Sequence, residues 1–227
     1  MLYALRTPSA LLALITSFLV GVLVQGVSTA VAARSLKVPG AVGPGRTRPD
    51  LRRHLDPFGT IAAALAGAGW ALPAERPGRR RGTPRYAAVV LAGPLANLVL
   101  AALALAGFVA AGGGRALLGA VSVVSVLHGS ERASGVLPMA LLALGVANLA
   151  MGILALVPLP PLPGGRLLFA FGPRSHGWQR AEHFLDDQHW GVGILLALLL
   201  IPLAGQGPLL LALIDDLAQP LLRLAAG

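Results

Sequence analysis

The amino-acid sequence predicts an all-α polytopic membrane protein, a helical bundle of about four to six transmembrane or re-entrant segments. The 227 residues are 56% hydrophobic and only 12% charged, with a mean hydropathy of +0.75 that lies outside the range of soluble domains. Apolar runs of about the 20 residues that a spanning helix needs recur along the chain. The net charge of +9 comes with only 5% aromatic residues and lies mostly between these runs, so membrane topology explains it without a nucleic-acid partner.

Four apolar runs are long enough to span a bilayer, at about 9–33, 86–111, 135–157 and 190–213, the last one interrupted by Pro202. Two shorter pieces, 58–72 and 116–127, are predicted to be re-entrant or interfacial, because helices of their length do not cross a hydrocarbon core of about 30 Å. The piece 208–226 carries charged residues and is expected to be interfacial or a weak fifth span. We expect one membrane-embedded domain over 1–227, with the first run retained as a span.

Basic residues predict the orientation of this bundle. The connection 34–85 holds 11 of the 18 Lys and Arg residues, and the connection 159–189 holds three more. With four spans, these two basic loops fall on the same side, which the positive-inside rule makes cytoplasmic. Two stretches within 34–85, Pro39 to Pro49 and Glu75 to Pro84, are linkers rich in Gly, Pro and Arg.

Three stretches, each beside or inside an apolar segment, carry a resemblance to a known family. They are HLDPFGTI followed by GW (His54 to Trp70), LAGPLANL (Leu91 to Leu98) and NLAMGILALVPLPPLPGGR (Asn148 to Arg166). In this order they resemble the short bacterial type of the site-2 protease family, which are intramembrane zinc metalloproteases. The resemblance covers about 21–200 and implies a site-2-protease-like bundle with an irregular Pro/Gly segment in its core.

The zinc-binding helix of that family carries HExxH, whose two His bind zinc while the Glu serves as general base. Here LVQGVSTAVAAR, at the end of the first span, resembles the family's LVHEFGHALAAR. The resemblance places Gln25 and Thr29 at the two His positions and Gly26 at the Glu position. Gln and Thr offer only neutral oxygens, which make a poor site for Zn²⁺.

A second segment of the family, similar to NxxPxPPLDGG, supplies an Asn and the third zinc ligand, an Asp. Their positions are occupied here by Ala155 and Pro163, whereas the surrounding residues are retained. We expect the retained residues to line a groove at the vacated centre: Asn97, Asn148, Pro158, Pro160, Pro161, Gly164 and Gly165. The sequence therefore predicts no catalytic residue, no metal ligand and no cofactor, although the family uses zinc.

Other polar residues favour structural roles. The stretch HFLDDQH, from His183 to His189, would place its carboxylates beside an imidazole, but it is more typical of a solvated connection than of a metal site. Asp56 precedes a proline, as helix caps often do, although with His54 it could instead hold a water or polarise a substrate. Asn97 and Asn148 lie within spans, where each is expected to hydrogen-bond to another helix.

Retained scaffold and missing ligands together imply a pseudoprotease in a bacterial plasma membrane. By analogy with relatives in regulated intramembrane proteolysis, we expect it to bind or regulate single-span membrane proteins within the lipid bilayer. Two alternatives stay open: an active intramembrane metalloprotease with an unorthodox site, and a non-enzymatic membrane scaffold or transporter. The scarcity of charge in the spans argues against transport, which usually needs buried ionisable groups.

Overall fold

The computed structural model describes residues 4–5, 7–38, 40–43, 45–73, 82–130, 133–173, 175–202 and 207–226. The helices are α1 (Pro8–Ser35), α2 (Pro57–Ala66), α3 (Pro84–Ala110), α4 (Arg115–Ala120), α5 (Val123–Leu127), α6 (Val136–Ala155), α7 (Pro163–Phe171), α8 (His176–Glu182), α9 (Trp190–Leu200) and α10 (Leu209–Ala226). Within the described residues the only extended pairings are two isolated bridges. The all-α membrane fold class predicted from the sequence is thus confirmed.

Three of the described helices, α1, α3 and α6, are long and apolar enough to cross a membrane, with 28, 27 and 20 residues. Proline stands in the first turn of both α1 and α3, where its missing N–H leaves no hydrogen bond unmade. These helices cover the first three predicted spans with slightly different ends. Most of the second basic linker, 74–81, with its Arg79 to Arg81 run, lies outside the described residues.

Small residues let the three long helices pack closely. Gly93 of α3 lies against Gln25 and Thr29 of α1, and Asn97, one turn later in α3, bonds to Gln25, so these two helices run antiparallel. Gly21 of α1 lies against Asn148 of α6, and α1 and α6 run parallel. A methyl group at either glycine would lie within 3.0 Å of the neighbouring side chain, so a larger residue would force the helices apart.

The piece 58–72 forms a hairpin rather than a span. Residues 57–66 form α2, and the following extended stretch returns beside it, so that Leu55 pairs with Ala71 and the Leu72 N–H donates to the His54 carbonyl over 2.7 Å. Gly67, at φ +86, makes the turn and lies against Leu127. The chain therefore enters and leaves at the same end of the bundle, as a re-entrant piece must.

The predicted span 190–213 includes all of one described helix and the start of another, on either side of the interruption predicted at Pro202. Helix α9 ends at Leu200, Pro202 and Pro208 pair as an isolated bridge, and α10 begins only at Leu209. A proline that follows Ile201 removes a backbone donor and disfavours helical geometry in the residue before it, which explains the break. With 11 residues, α9 is too short to cross alone.

Helix α10 is hydrogen-bonded to the piece 116–127, which contains the short helices α4 and α5. The Asp215 carboxylate accepts hydrogen bonds from the Val123 N–H (2.6 Å) and the Ser122 hydroxyl (3.1 Å) at the start of α5. The Gln219 amide donates to the Val121 carbonyl over 2.9 Å. One face of α10 is buried, whereas leucines at intervals of three or four residues stay exposed on the other, as on a helix that faces both protein and lipid.

Candidate functional site

The residues that replace the HExxH motif lie on the buried face of α1, in its last three turns. Gln25, Gly26 and Thr29 are all buried against α3 and the segment that follows α1. The Thr29 hydroxyl donates to the Gln25 carbonyl one turn earlier, over 2.8 Å. Its oxygen is therefore already engaged with its own helix, a common arrangement for Thr in an apolar environment.

Gln25 is paired across the helix interface. The Asn97 side-chain amide of α3 donates to Gln25 Oε1 over 3.2 Å, and Asn97 is fully buried. The expected interhelical hydrogen bond of Asn97 is confirmed. Two residues distant in sequence thus form a neutral amide pair at the place where the family resemblance puts the first zinc ligand.

His54 covers Gly26, the position where the family resemblance would place the general base. Its ring lies directly against Gly26, so that a Cβ there would overlap Nδ1, Cγ and Cε1. The ring is fully buried, and Nε2 donates to the Arg48 carbonyl over 3.1 Å, which leaves Nδ1 unprotonated in the neutral form. Burial lowers the pKa of His54 against the opposing effect of the Arg48 carbonyl, and the charge of Arg46 lowers it further.

Pro163 and Ala155 flank the irregular segment that follows α6. Ala155 is the last residue of α6, and Pro163 is the first residue of α7, where it supplies no side-chain donor atom. The Gly21 to Asn148 contact sets the register of α1 and α6, and two further turns of both helices place Ala155 near the level of Thr29. Pro163 and Gly165 are buried, and the latter packs on the backbone of the same segment.

The seven candidate groove residues do not line one open groove. Asn97, Asn148, Pro160 and Gly165 are buried, Pro161 and Gly164 are half-buried, and Pro158 is exposed. The segment 156–162 folds on itself through its own backbone hydrogen bonds, and the start of α9 covers it, with Gly191 against the Pro160 carbonyl. The Pro/Gly break is packed shut rather than left as a cleft.

An apolar lateral groove lies instead between the first halves of α1 and α6. It encloses about 420 Å³ and runs from Ser9 and Val136 to Ser17 and Leu144. Asn148 lies one turn beyond this lining and is fully buried, and its amide donates to the carbonyls of Leu144 (2.8 Å) and Ser17 (3.4 Å). Asn148 Oδ1 is buried and accepts no hydrogen bond from the described residues.

The alternative polar clusters take structural roles. Asp56 caps α2, because its carboxylate accepts a hydrogen bond from the Gly59 N–H over 2.7 Å, as the Asp-Pro pair predicts. In the HFLDDQH stretch, His183 pairs with Asp187 at 2.9 Å on an exposed surface, while Asp186 approaches Arg166 at 3.7 Å. The carboxylates thus point to different partners rather than to one centre.

The donor atoms at this centre do not fit zinc. Catalytic zinc is held by His, Glu, Asp or Cys, but Gln25 and Thr29 offer neutral oxygens that hydrogen bonds already occupy, and Pro163 offers none. In the part of the chain that the structure describes, no three His, Asp or Glu side chains converge as a metal site would require. No catalytic step through a metal can be derived from these residues.

Comparison with known proteins identifies a relative whose name states an enzymatic activity. A Bacillus subtilis (strain 168) protein named "Putative zinc metalloprotease YwhC" is 32% identical to this chain in an alignment of 162 residues that covers 66% of this chain. The chain has a metalloprotease-like homologue. The alignment covers 63% of that relative's length. No protein-family model matches the chain, and no solved structure matches it.

Sequence reasoning missed two pairings at this centre. It placed Gln25, Asn97 and His54 in separate motifs and did not foresee that the first two form a pair or that the third covers Gly26. A signal was present in the small and polar residues Ser17, Gly21, Gln25 and Thr29, which recur every four residues along one face of α1. Such a stripe is typical of a helix face that accepts close neighbours.

Proposed function

We propose that this chain is a catalytically inactive member of the site-2 protease family that binds a membrane-spanning segment of a partner without cutting it. The proposal rests on the contacts of the three residues that the resemblance aligns with the functional positions of HExxH. Gln25 is paired with Asn97. The Thr29 hydroxyl is bonded to its own helix, and Gly26 is covered by His54. Gln, Gly and Thr at these positions supply neither the two imidazole ligands nor the carboxylate base of HExxH.

Family membership is supported from two directions. The three motifs keep the order and the membrane setting that the resemblance requires, and a relative 32% identical over 162 residues carries a metalloprotease name. Because the aligned part is 63% of that relative, the protease name is not transferred to this chain. Residence in a bacterial plasma membrane, with the loops 34–85 and 159–189 in the cytoplasm, belongs to the same proposal.

The lateral groove between α1 and α6 suits a membrane-spanning partner. Its mouth carries apolar side chains that are strongly exposed, including Leu12 and Leu137 at 65% and 61%. Its lining is apolar apart from the hydroxyl side chains of Ser9, Thr16 and Ser17, which suits the apolar surface of a spanning helix.

Photocrosslinking from the groove tests the binding role. A photoreactive amino acid is placed at Leu12 or Leu137, and for comparison at Leu103, which is 67% exposed but does not line the groove. We expect the two groove positions to form adducts with a discrete single-span membrane protein, identified by mass spectrometry, and Leu103 to form lipid adducts alone. Lipid adducts alone at all three positions would refute the binding role.

The alternative of an unorthodox active site finds no supporting cluster among the described residues. The His183 and Asp187 pair is exposed, with side chains 60% and 48% accessible, and lies on one turn of helix without a third ligand. A membrane scaffold differs from the proposed binder only in lacking a specific partner, and the crosslinking comparison separates the two.

A further inference from the structure

A basic pocket lies at the end of α1, away from the vacated centre. It encloses about 420 Å³ and is lined by the last turns of α1 and by the loop that follows. Among the described lining residues three are cationic, Arg34, Lys37 and Arg46, and none is acidic. The Arg46 guanidinium is buried and donates to the carbonyls of Leu72 (2.7 Å) and Pro73 (3.1 Å), whereas Arg34 and Lys37 are exposed. The remaining lining is mostly glycine and small apolar residues, so the pocket is both positively charged and partly apolar.

The nearby carboxylates are occupied elsewhere. Asp50 pairs with Arg53 at 3.2 Å and caps the short helical turn that begins at Leu51. Asp56 is buried at the start of α2, where it holds the Gly59 N–H. The positive charge of the pocket is therefore not neutralised by the acidic residues of this connection.

Lys37 is held in a backbone conformation that favours glycine. It occupies the first position beyond the cap of α1, with φ +52, and its N–H donates to the Arg34 carbonyl while the Val38 N–H donates to the Ala33 carbonyl. This is the Schellman arrangement, in which the left-handed residue is usually Gly. A lysine there costs about 1 kcal/mol relative to glycine, and non-glycine residues in this conformation cluster at binding sites.

The same arrangement removes an obstacle to anion binding. The carbonyl end of a helix carries partial negative charge, which would repel an anion. Here the carbonyls of Ala32, Ala33 and Arg34 accept hydrogen bonds from the chain that follows. The end of α1 is thus capped, and the charge that an incoming group meets is chiefly that of Arg34 and Lys37, because Arg46 donates to two backbone carbonyls.

We propose that this pocket binds a phosphate group, either the headgroup of an anionic phospholipid or a soluble phosphate. Arg and Lys form short, charge-assisted hydrogen bonds with phosphate oxygens, and small apolar wall residues such as Ala30, Ala33 and Val42 accept the adjoining carbon atoms of a lipid. The pocket lies at the basic end of a spanning helix, where headgroups are found. This proposal does not depend on the proposed function of the vacated centre.

The test compares variants in nanodiscs of phosphatidylcholine that contain a small fraction of phosphatidylglycerol. Native mass spectrometry counts the phosphatidylglycerol that stays bound, and isothermal titration with inorganic phosphate examines the soluble source. The variant Arg34→Gln with Lys37→Gln is compared with Arg52→Gln with Arg85→Gln, which removes the same charge from exposed positions outside the pocket. We expect the pocket variant to lose affinity by about tenfold or more, and the control to lose little.

A second variant separates binding from folding. Lys37→Gly supplies the residue that the left-handed position favours, so the protein should unfold at the same or a higher temperature while it loses phosphate affinity. Retention of phosphatidylglycerol alone identifies the source as lipid, and binding of inorganic phosphate identifies a soluble ligand. Equal affinity of the pocket and control variants, or no binding of either probe, would overturn the proposal.

Discussion

The variant Gly26→Ala tests whether His54 truly closes the vacated centre. A methyl group at this position would overlap three atoms of the His54 ring, which is fully buried and tied through Nε2 to the Arg48 carbonyl. Overpacking a buried site costs about 1–3 kcal/mol, and a strained or broken hydrogen bond adds about 0.5–1.5 kcal/mol. Replacing glycine by alanine inside a helix stabilises the helix by about 1 kcal/mol, which offsets part of this cost.

The net expectation is a destabilisation of about 1–3 kcal/mol. For a chain of this size that lowers Tm by roughly 2–12 °C, which thermal unfolding in mild detergent can measure. Gly193→Ala is the matched control, because Gly193 also lies inside a helix but nothing lies within 4 Å of a Cβ placed there. It should unfold at the same temperature as the parent or slightly higher.

A double mutant completes the reasoning. In a His54→Ala background the ring is gone, so the additional cost of Gly26→Ala should vanish and the two substitutions should be non-additive. If Gly26→Ala behaves like Gly193→Ala in the parent protein, His54 does not occupy the space beside Gly26 and the closed-centre account is wrong.

Three further predictions follow from the contacts described above. Asp56→Ala should lower the free energy of unfolding by about 1 kcal/mol because the α2 cap is lost, whereas Asp56→Asn, which can still accept from the Gly59 N–H, should stay near the parent in thermal unfolding. Because burial lowers the pKa of His54, stability should be full above pH of about 6.5 and fall as the pH drops through the lowered pKa. His54→Gln should flatten that fall between pH 7.5 and 5.5, with a remainder from His128, whose pKa burial also lowers. Asp215→Ala should cost about 1–3 kcal/mol, since Val123 loses its partner, and hydrogen exchange should rise in α5.

Local patterns explain why much of the fold could be predicted. Hydropathy and length are properties of short windows, and α1, α3 and α6 lie where three of the predicted spans stand. The α2 cap was also predictable, because Asp before Pro favours a cap in any context. The interruption at Pro202 was predictable from the local effect of proline, but hydropathy alone does not show where α9 ends and α10 begins.

The pairings at the vacated centre depend on packing rather than on local pattern. Gln25 and Asn97 are 72 residues apart, and only the antiparallel contact of α1 with α3 brings their amides together. The contact of His54 with Gly26 needs the connection after α1 to fold back onto that helix. The family resemblance predicts which side chains are replaced, and the structure shows which contacts the residues at those positions make.

The zinc content of the purified, folded protein tests the central claim most directly. Elemental analysis after equilibration with Zn²⁺ and removal of the excess should find far less than one zinc per chain, because Gln25, Thr29 and Pro163 offer no ligand set for it. A zinc metalloprotease prepared in the same detergent serves as positive control. Near-stoichiometric zinc, with chelator-sensitive cleavage of a membrane-spanning substrate, would contradict the account.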